Sequence, residues 1–385
     1  MQVDKAVKVK DHESVRRADA EGRIKGYETG ELDSEWLREI CIEAGADDVG
    51  FAALDDPSLA EERDYALEAL AGTQTLISVC VKLNRDNIRS PARSLSNMEW
   101  HEAGPEVQEV GRRIALALQE RGVRAVYPAM SFPMETHRFP ERMWTVAHKK
   151  VAVAAGLGHM GIHRNVIHPQ FGSFILLETI LIQPRVSDYS EQLEWNPCLG
   201  CNLCVAACPV GAIKADEEFD FAACYTHNYR EFMTGFSDWV ETVADSSDAD
   251  DYRERVSDAE TVSMWQSLTY KPNYKSAYCV AVCPAGDDVL GPYINDKKEH
   301  MNDVVRPLQR REENVYVIPE SQAELHVKKR FPNKTPRRVS SGLRPPQDRP
   351  GATPRPIGGR AAGEPSGSAN GAGGDGRSAN GGEPE

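Results

Sequence analysis

Apolar residues recur at helical spacing between Asp33 and Gly45. Trp36, Leu37, Ile40 and Cys41 share one stripe, behind a cap at Asp33 or Ser34 and ahead of a glycine stop. The period then shortens. Asp48–Ala53 reads as a short strand, Leu59–Leu70 as a helix, and Thr75–Leu83 (TLISVCVKL) as a buried strand. Val107–Arg121 predicts an amphipathic helix closed by Gly122, with a strand over Val123–Tyr127 after it. Pro140–Ala155 predicts a further helix, its proline suited to the first turn. Ser173–Ile182 (SFILLETILI) is the strongest strand signal in the chain.

Alternating helices and strands over about 150 residues predict a layered α/β or α+β domain. From Glu191 the texture becomes cysteine-rich, with short elements, and Asp245–Asp251 reads as an acidic, solvated loop. Past Pro336 the chain is rich in Gly, Pro, Ser and Arg, a composition that cannot bury enough apolar surface to offset its ordering entropy. The expected organisation is a polar extension over 1–30, the layered domain over 31–190, a cysteine-rich domain with an acidic insertion over 191–335, and a disordered tail over 336–385.

Composition narrows the class. The 385 residues are 40% hydrophobic and 27% charged, as in soluble globular proteins. No apolar run reaches the roughly 18 residues of a membrane span. The first residues carry no apolar stretch after Arg16-Arg17, so neither a secretory nor a twin-arginine leader is expected, and the cytoplasm is the expected compartment. A net charge of −14 argues against general nucleic-acid binding, leaving Lys328–Arg344 as a local basic stretch. Within it, Lys328-Lys329-Arg330 reads as solvated surface.

The expected compartment decides how nine cysteines are read: in a reducing environment a cluster of them is a ligand set before it is a disulfide framework. The core signal is Cys198-x2-Cys201-x2-Cys204-x3-Cys208-Pro209. Three thiolates at this spacing wrap one iron–sulfur cubane, and the fourth, before proline, turns away to a second cluster. Cys279-x3-Cys283-Pro284 repeats the end of the motif, and Cys224 lies between. A crossed assignment follows. Cys198, Cys201, Cys204 and Cys283 hold one cluster; Cys208, Cys224 and Cys279 hold the other. The second set lacks a ligand, because Ser276 occupies the place that would complete a C-x2-C-x3-C-P run. Ser276, His227, a distant cysteine or water fills the gap, or the cluster has three irons. Structural zinc favours two separated C-x2-C pairs and fits less well. Cys41 and Cys80 sit in apolar stripes and read as core.

Gly156-Leu157-Gly158-His159-Met160-Gly161 matches G-x-G-x-x-G, but a helix precedes it and a strand follows, the reverse of the dinucleotide fingerprint. Glu178, at a tolerable distance for the ribose ligand, falls inside a strand. The glycines instead imply backbone packed closely against a cofactor or another segment. His148, His159, His163 and His168 surround this loop, and one of them contacting cofactor or substrate weighs evenly against capping and turn contacts.

Val153–Ile182 (VAAGLGHMGIHRNVIHPQFGSFILLETILI), followed by CLGCNLCVAACPVGAI, resembles the epoxyqueuosine reductases and their relatives the reductive dehalogenases. EAGADDVGFAAL is similar to the family's first strand, and Asp220–Cys224 to its D-x-x-x-C segment. The resemblance, covering roughly Trp36 to Tyr293, implies a nitroreductase-like domain that binds cobalamin beside two [4Fe-4S] clusters. In that picture Gly156, Gly158, Gly161, His163, His168 and Ser173 line the cofactor, and the clusters reduce cobalt to act on a substrate. Two family features are changed. Arg142-Met143-Trp144-Thr145 stands where the epoxyqueuosine members carry an aspartate proton donor, and Ile162-His163 replaces a Lys-Asn pair. The family's C-terminal helical-repeat domain, associated with tRNA, is not recognisable. Tyr127, Glu141 and Arg142 are the candidate proton donors, with Glu135, Arg138, Lys149 and Lys150 as further possibilities.

The expected function is a cobalamin-dependent iron–sulfur reductase of a small molecule or modified nucleoside, fed by a low-potential donor of ferredoxin or flavodoxin type. A non-catalytic electron carrier and a corrinoid-processing protein are the alternatives.

Overall fold

The computed structural model describes residues 9–24, 26–138, 142–198, 200–216 and 218–339. Among them the strands are β1 (Asp48–Ala53), β2 (Thr75–Lys82), β3 (Ala125–Val126), β4 (His159–Met160), β5 (Val166–Ile167), β6 (Ile175–Ile182), β7 (Glu313–Val317) and β8 (Lys334–Arg338). One sheet runs β1-β2-β6-β3, with every neighbouring pair antiparallel. The layered half is therefore α+β.

Helices cover both faces of this sheet, which is why its central strands read as continuous apolar runs rather than alternating ones. On one face, Leu37 and Cys41 of Ser34–Glu43 and Val107, Val110, Ile114 and Leu118 of Arg93–Glu120 pack on Phe51, Ile77, Val79 and Ile180. On the other, Leu59, Ala66, Val151 and Ala154 pack on Ala52, Leu76 and Leu181. Cys80 lies among Ala152, Leu157, Val166 and Leu177. Each fully buried Leu or Ile contributes about 2 kcal/mol. Cys41 and Cys80 are thus core, and burial pushes the Cys41 thiol up to about 12.

Several elements differ from the sequence pattern. The long helix begins at Arg93, not Val107. Its first turns carry buried Ser96 and Asn97, and Pro105 lies inside it, so neither apolar period nor propensity announces it. The helix expected over Pro140–Ala155 is confined to His148–Ala154. Ahead of it the chain is drawn to the buried carboxylate of Glu62, which accepts from Arg142 and from the amide of Ala147. The polar N-terminal stretch includes a helix, Glu13–Ala20, with no buried residue.

The expected acidic loop is solvated but short: only residues 246–248 are non-helical, and the stretch lies in a run of helices. Met233–Asp245, Ala249–Arg255 and Asp258–Thr269 follow one another, and Asp248 caps the second through the amides of Asp250 and Asp251. Acids at a helix N-terminus complement its dipole, so the charge run marks a helix start. The start of the expected tail is ordered: Pro336 lies in β8, parallel to β7 and opposite Val315. The remainder of the tail, residues 340–385, lies outside the described residues. Among the described residues, no helix is long and apolar enough to cross a membrane.

Candidate metal centre

Two short helices carry the thiols. Leu203–Ala207 presents Cys204 and ends at Cys208; Tyr278–Val282 presents Cys279 and ends at Cys283; the two pack against each other. Cys224 comes from a third helix, Phe221–Asn228, capped by Asp220. Cys204, Cys208 and Cys283 are buried, and Cys198, Cys201, Cys224 and Cys279 are half-buried.

The thiols fall into two adjoining groups. Cys283 packs with Ile167 and Ala285 beside Cys198. Burial, then neighbouring Cys201 and Cys198, push the Cys283 thiol up to about 11, against the opposing pull of the Ala285 amide and the Ser173 hydroxyl. Cys204 is raised by burial and then by Cys279, Cys283 and Cys201. In the other group Cys224 is raised by burial, Cys279 and Cys208. Cys279 reaches about 12 through burial and Cys208. Buried thiols that raise one another in this way cannot all ionise unless cations sit among them. Among the described residues, no three His, Cys, Asp or Glu side chains converge as they would on a single ion. Thiols at this spacing, drawn from three helices into one region, are soft donors that fit an iron–sulfur core.

Basic groups stand over both sets. Arg89 donates to the Ala281 carbonyl at 3.3 Å and lies near Cys283. Lys149 bonds the Arg164 carbonyl and Asn165 Oδ1 at 2.9 and 2.8 Å, and Asn165 Nδ2 is 3.7 Å from Cys279 Sγ. Protein surrounds Lys149, lowering its ammonium by desolvation while Cys279 and Cys224 oppose that, yet the side chain is open to solvent. It therefore stands at the protein surface with the second thiol group among its charged neighbours. The sequence offered Lys149 without a rule to select it; Arg89 had no signal.

The other expected site residues are placed as follows. A Cβ on Gly156 would meet the Glu191 carbonyl at 2.4 Å, one on Gly158 the Ile167 carbonyl at 2.6 Å, and one on Gly161 the side chain of Ile167 at 2.7 Å. The loop is therefore packed on the protein's own chain. His168 spends its ring on Asp48 Oδ2 at 3.0 Å and on the amides of Gln170 and Phe171. Ser173 donates to the Val280 carbonyl at 3.3 Å. His163 accepts from the Asn165 amide at 3.1 Å and leaves its buried Nε2 unanswered. The histidines do not converge: His148 bonds Thr179 and the Ala129 carbonyl, and His159 the Met160 carbonyl.

The turn His168–Ser173 has another task. Gly172 (φ +66°) and Gly286 (φ +107°) meet backbone to backbone: a Cβ on Gly172 would lie 1.9 Å from the Ala285 carbonyl. The amides of Asp287 and Asp288 donate to Pro169 and Gln170. This contact seats the chain just past Cys283 on the sheet half.

Of the candidate proton donors, Tyr127 is exposed beyond β3. Arg142 clamps Glu62 with two bonds of 3.1 and 2.5 Å and stacks 4.0 Å over Tyr65. Glu141 lies outside the described residues. Arg138 pairs with Glu68 at 2.7 Å, and Lys150 with Glu61. His227, a candidate cluster ligand, accepts from the Tyr316 amide through Nδ1 at 3.3 Å and leaves its buried Nε2 unanswered; its electrostatic partners are led by Glu313.

Residues 193–214 match the 4Fe-4S binding domain family. The epoxyqueuosine reductase of Synechococcus sp. (strain CC9605) is 35% identical over 81 residues, 20% of this chain and 23% of the relative. Two further curated relatives bear the same name, and the chain spans 26% and 49% of their lengths. The chain thus covers between about a quarter and a half of the curated relatives it matches. Among solved structures, the epoxyqueuosine reductase of Streptococcus thermophilus has a TM-score of 0.40 at 15% identity, over 72% of this chain and 78% of that one. A catabolic reductive dehalogenase has a TM-score of 0.45 at 14% identity, over 77% and 37%.

Proposed function

We propose that the chain is an iron–sulfur reductase in which two clusters, held by crossed cysteine sets, carry electrons to an acceptor on the Lys149 side of Cys279. The carrying observation is the gathering of thiols from distant segments: Cys283 beside Cys198 and Cys201, Cys208 beside Cys224 and Cys279, and Cys204 between the two sets, next to Cys279, Cys283 and Cys201. Iron–sulfur cores held side by side pass electrons without side-chain chemistry, so the protein's part is to hold them. Lys149 and Arg89 offset the net negative charge of the thiolate-bound cores.

The acceptor class follows from the curated relatives, whose shared name points to a modified nucleoside. In this reading the layered half is the nitroreductase-like domain of that family. Cobalamin is the mediator implied by the family resemblance. Of the six residues expected to line it, His163 alone keeps an unanswered polar atom, and it joins Asn165 and Lys149 as the groups that would hold such a cofactor. When bound, it supplies a strongly reducing cobalt centre. The chain's own residues orient that group and keep cations over the electron path.

Anaerobic reconstitution of Cys283→Ser and Cys208→Ser tests the reading. The wild-type chain should bind about seven or eight irons. Cys283→Ser should lose the first cluster although Cys283 lies in the later segment, and Cys208→Ser should lose the second. About four irons in the wild-type chain would end the two-cluster account. Reduced protein that is not reoxidised by any modified nucleoside or corrin would favour the carrier alternative.

A further inference from the structure

The two thiol-bearing helices are local copies of each other. Asn202 (φ 54°, ψ 20°) and Ala277 (φ 56°, ψ 19°) both enter from the left-handed region, uncommon for residues other than glycine. A five-residue helix follows each, ending at Cys208 (φ −67°, ψ 112°) and Cys283 (φ −67°, ψ 124°), and each is succeeded by proline. This register matches Cys204 with Cys279, Cys208 with Cys283, and Cys201 with Ser276. In the first group Cys201 stands with Cys204 and Cys283. Its counterpart is Ser276 with Cys279 and Cys208. Asn273 stands where a partner of Cys198 would fall, and Cys224 supplies that thiolate from another helix.

Ser276 is held in place by its backbone. Its amide donates to Asn228 Oδ1 at 3.0 Å, and its carbonyl accepts from the buried guanidinium of Arg93. Other donors named by the sequence are elsewhere: His227 faces β7, and Cys41 and Cys80 are locked in the sheet core.

We propose that the second cluster is a cube with three thiolate-held irons and one iron facing Ser276, whose oxygen, having released its proton to water, replaces the fourth thiolate. This rests on the two-cluster reading above. A hard oxygen on a shorter arm is a poorer ligand for this core than a thiolate, which makes that iron the labile one and the position open to an exchangeable ligand.

The test is mild oxidation of the reconstituted full chain, followed by EPR and iron analysis. One electron taken by ferricyanide, which becomes ferrocyanide, releases the serine-side iron as a ferrous ion and leaves an EPR-visible three-iron cluster. Ferrous iron with dithionite returns the ion and the electron and rebuilds the cube. Wild type should cycle in this way, Ser276→Ala should be isolated with one iron fewer, and Ser276→Cys should resist oxidation and lose the three-iron signal. A wild-type second cluster that resists ferricyanide, or a Ser276→Cys chain that sheds iron as wild type does, overturns the assignment of Ser276. About four irons in all three chains would instead mean that the two-cluster reading has failed.

Discussion

Glu178, set in the middle of β6 opposite Val79, has no solvent-exposed surface, and among the described residues the one group that could supply a countercharge, His148, lies 3.7 Å from its Oε1. Its Oε1 accepts the Thr179 amide at 2.9 Å, and its Oε2 has no partner. Burial pushes its carboxyl from 4.5 up to about 8. The neighbouring His148 is held neutral, lowered to about 4 by desolvation, with one ring nitrogen on Thr179 and the other on the Ala129 carbonyl. Between pH 4.5 and about 8 the folded chain therefore keeps a proton that the unfolded chain has lost. Stability contributed by this group is complete below the lower value and declines by about 1.4 kcal/mol per pH unit as pH rises, on the order of 5 kcal/mol in all. Glu178→Gln keeps the shape and removes the titration. Urea unfolding of variant and wild type, both carrying the same clusters, should show their stability difference moving in favour of Gln by about 2 kcal/mol between pH 6 and pH 8. Infrared spectroscopy should show a protonated carboxyl band in wild type that titrates near 8 and is missing from the variant. A stability difference that stays flat with pH, or a carboxylate already ionised at pH 6, would refute the reasoning.

Arg142→Met leaves buried Glu62 short of its main partner and should cost about 3 kcal/mol in urea unfolding, most of it recovered in Glu62→Gln/Arg142→Met. If Arg142 were instead a proton donor, the double variant would regain stability but not turnover. Gly172→Ala forces a methyl into the Ala285 carbonyl from a positive φ, so the first cluster should be lost selectively, read as a fall of about four irons per chain. Lys149→Met removes a cation beside Cys279 and Cys224; a solvent-screened coupling on the order of 1 kcal/mol should lower the second cluster's potential by about 40 mV, measured by redox titration.

The sequence makes some of this plain. β1 was readable residue for residue, and β2 and β6 nearly so, because strands buried on both faces carry unbroken apolar runs. The ligand spacing announced itself, since cysteines in that pattern have few other uses. What stayed hidden depends on contacts across the chain. The first turns of Arg93–Glu120 are polar because they face Tyr274 and Ser276, partners about 180 residues away that no local period encodes. Glu62 and Arg142 read as surface charges until the fold brings them together. Gly172 looked like a cofactor turn, because a glycine required by backbone contact has the same signature whichever molecule supplies the contact.

In the proposed two-cluster reading, the exchange of Cys208 and Cys283 would make iron a rivet. Each core would fasten the stretch around Cys204 to the stretch around Cys279, with the helices of residues 233–269 looping out between them. A protease nick within that loop should then leave two pieces held more tightly with the metal than after a chelator has removed it. Metal insertion would be an act on a chain already brought to its native path, and the loss of either core would loosen both strips of protein together.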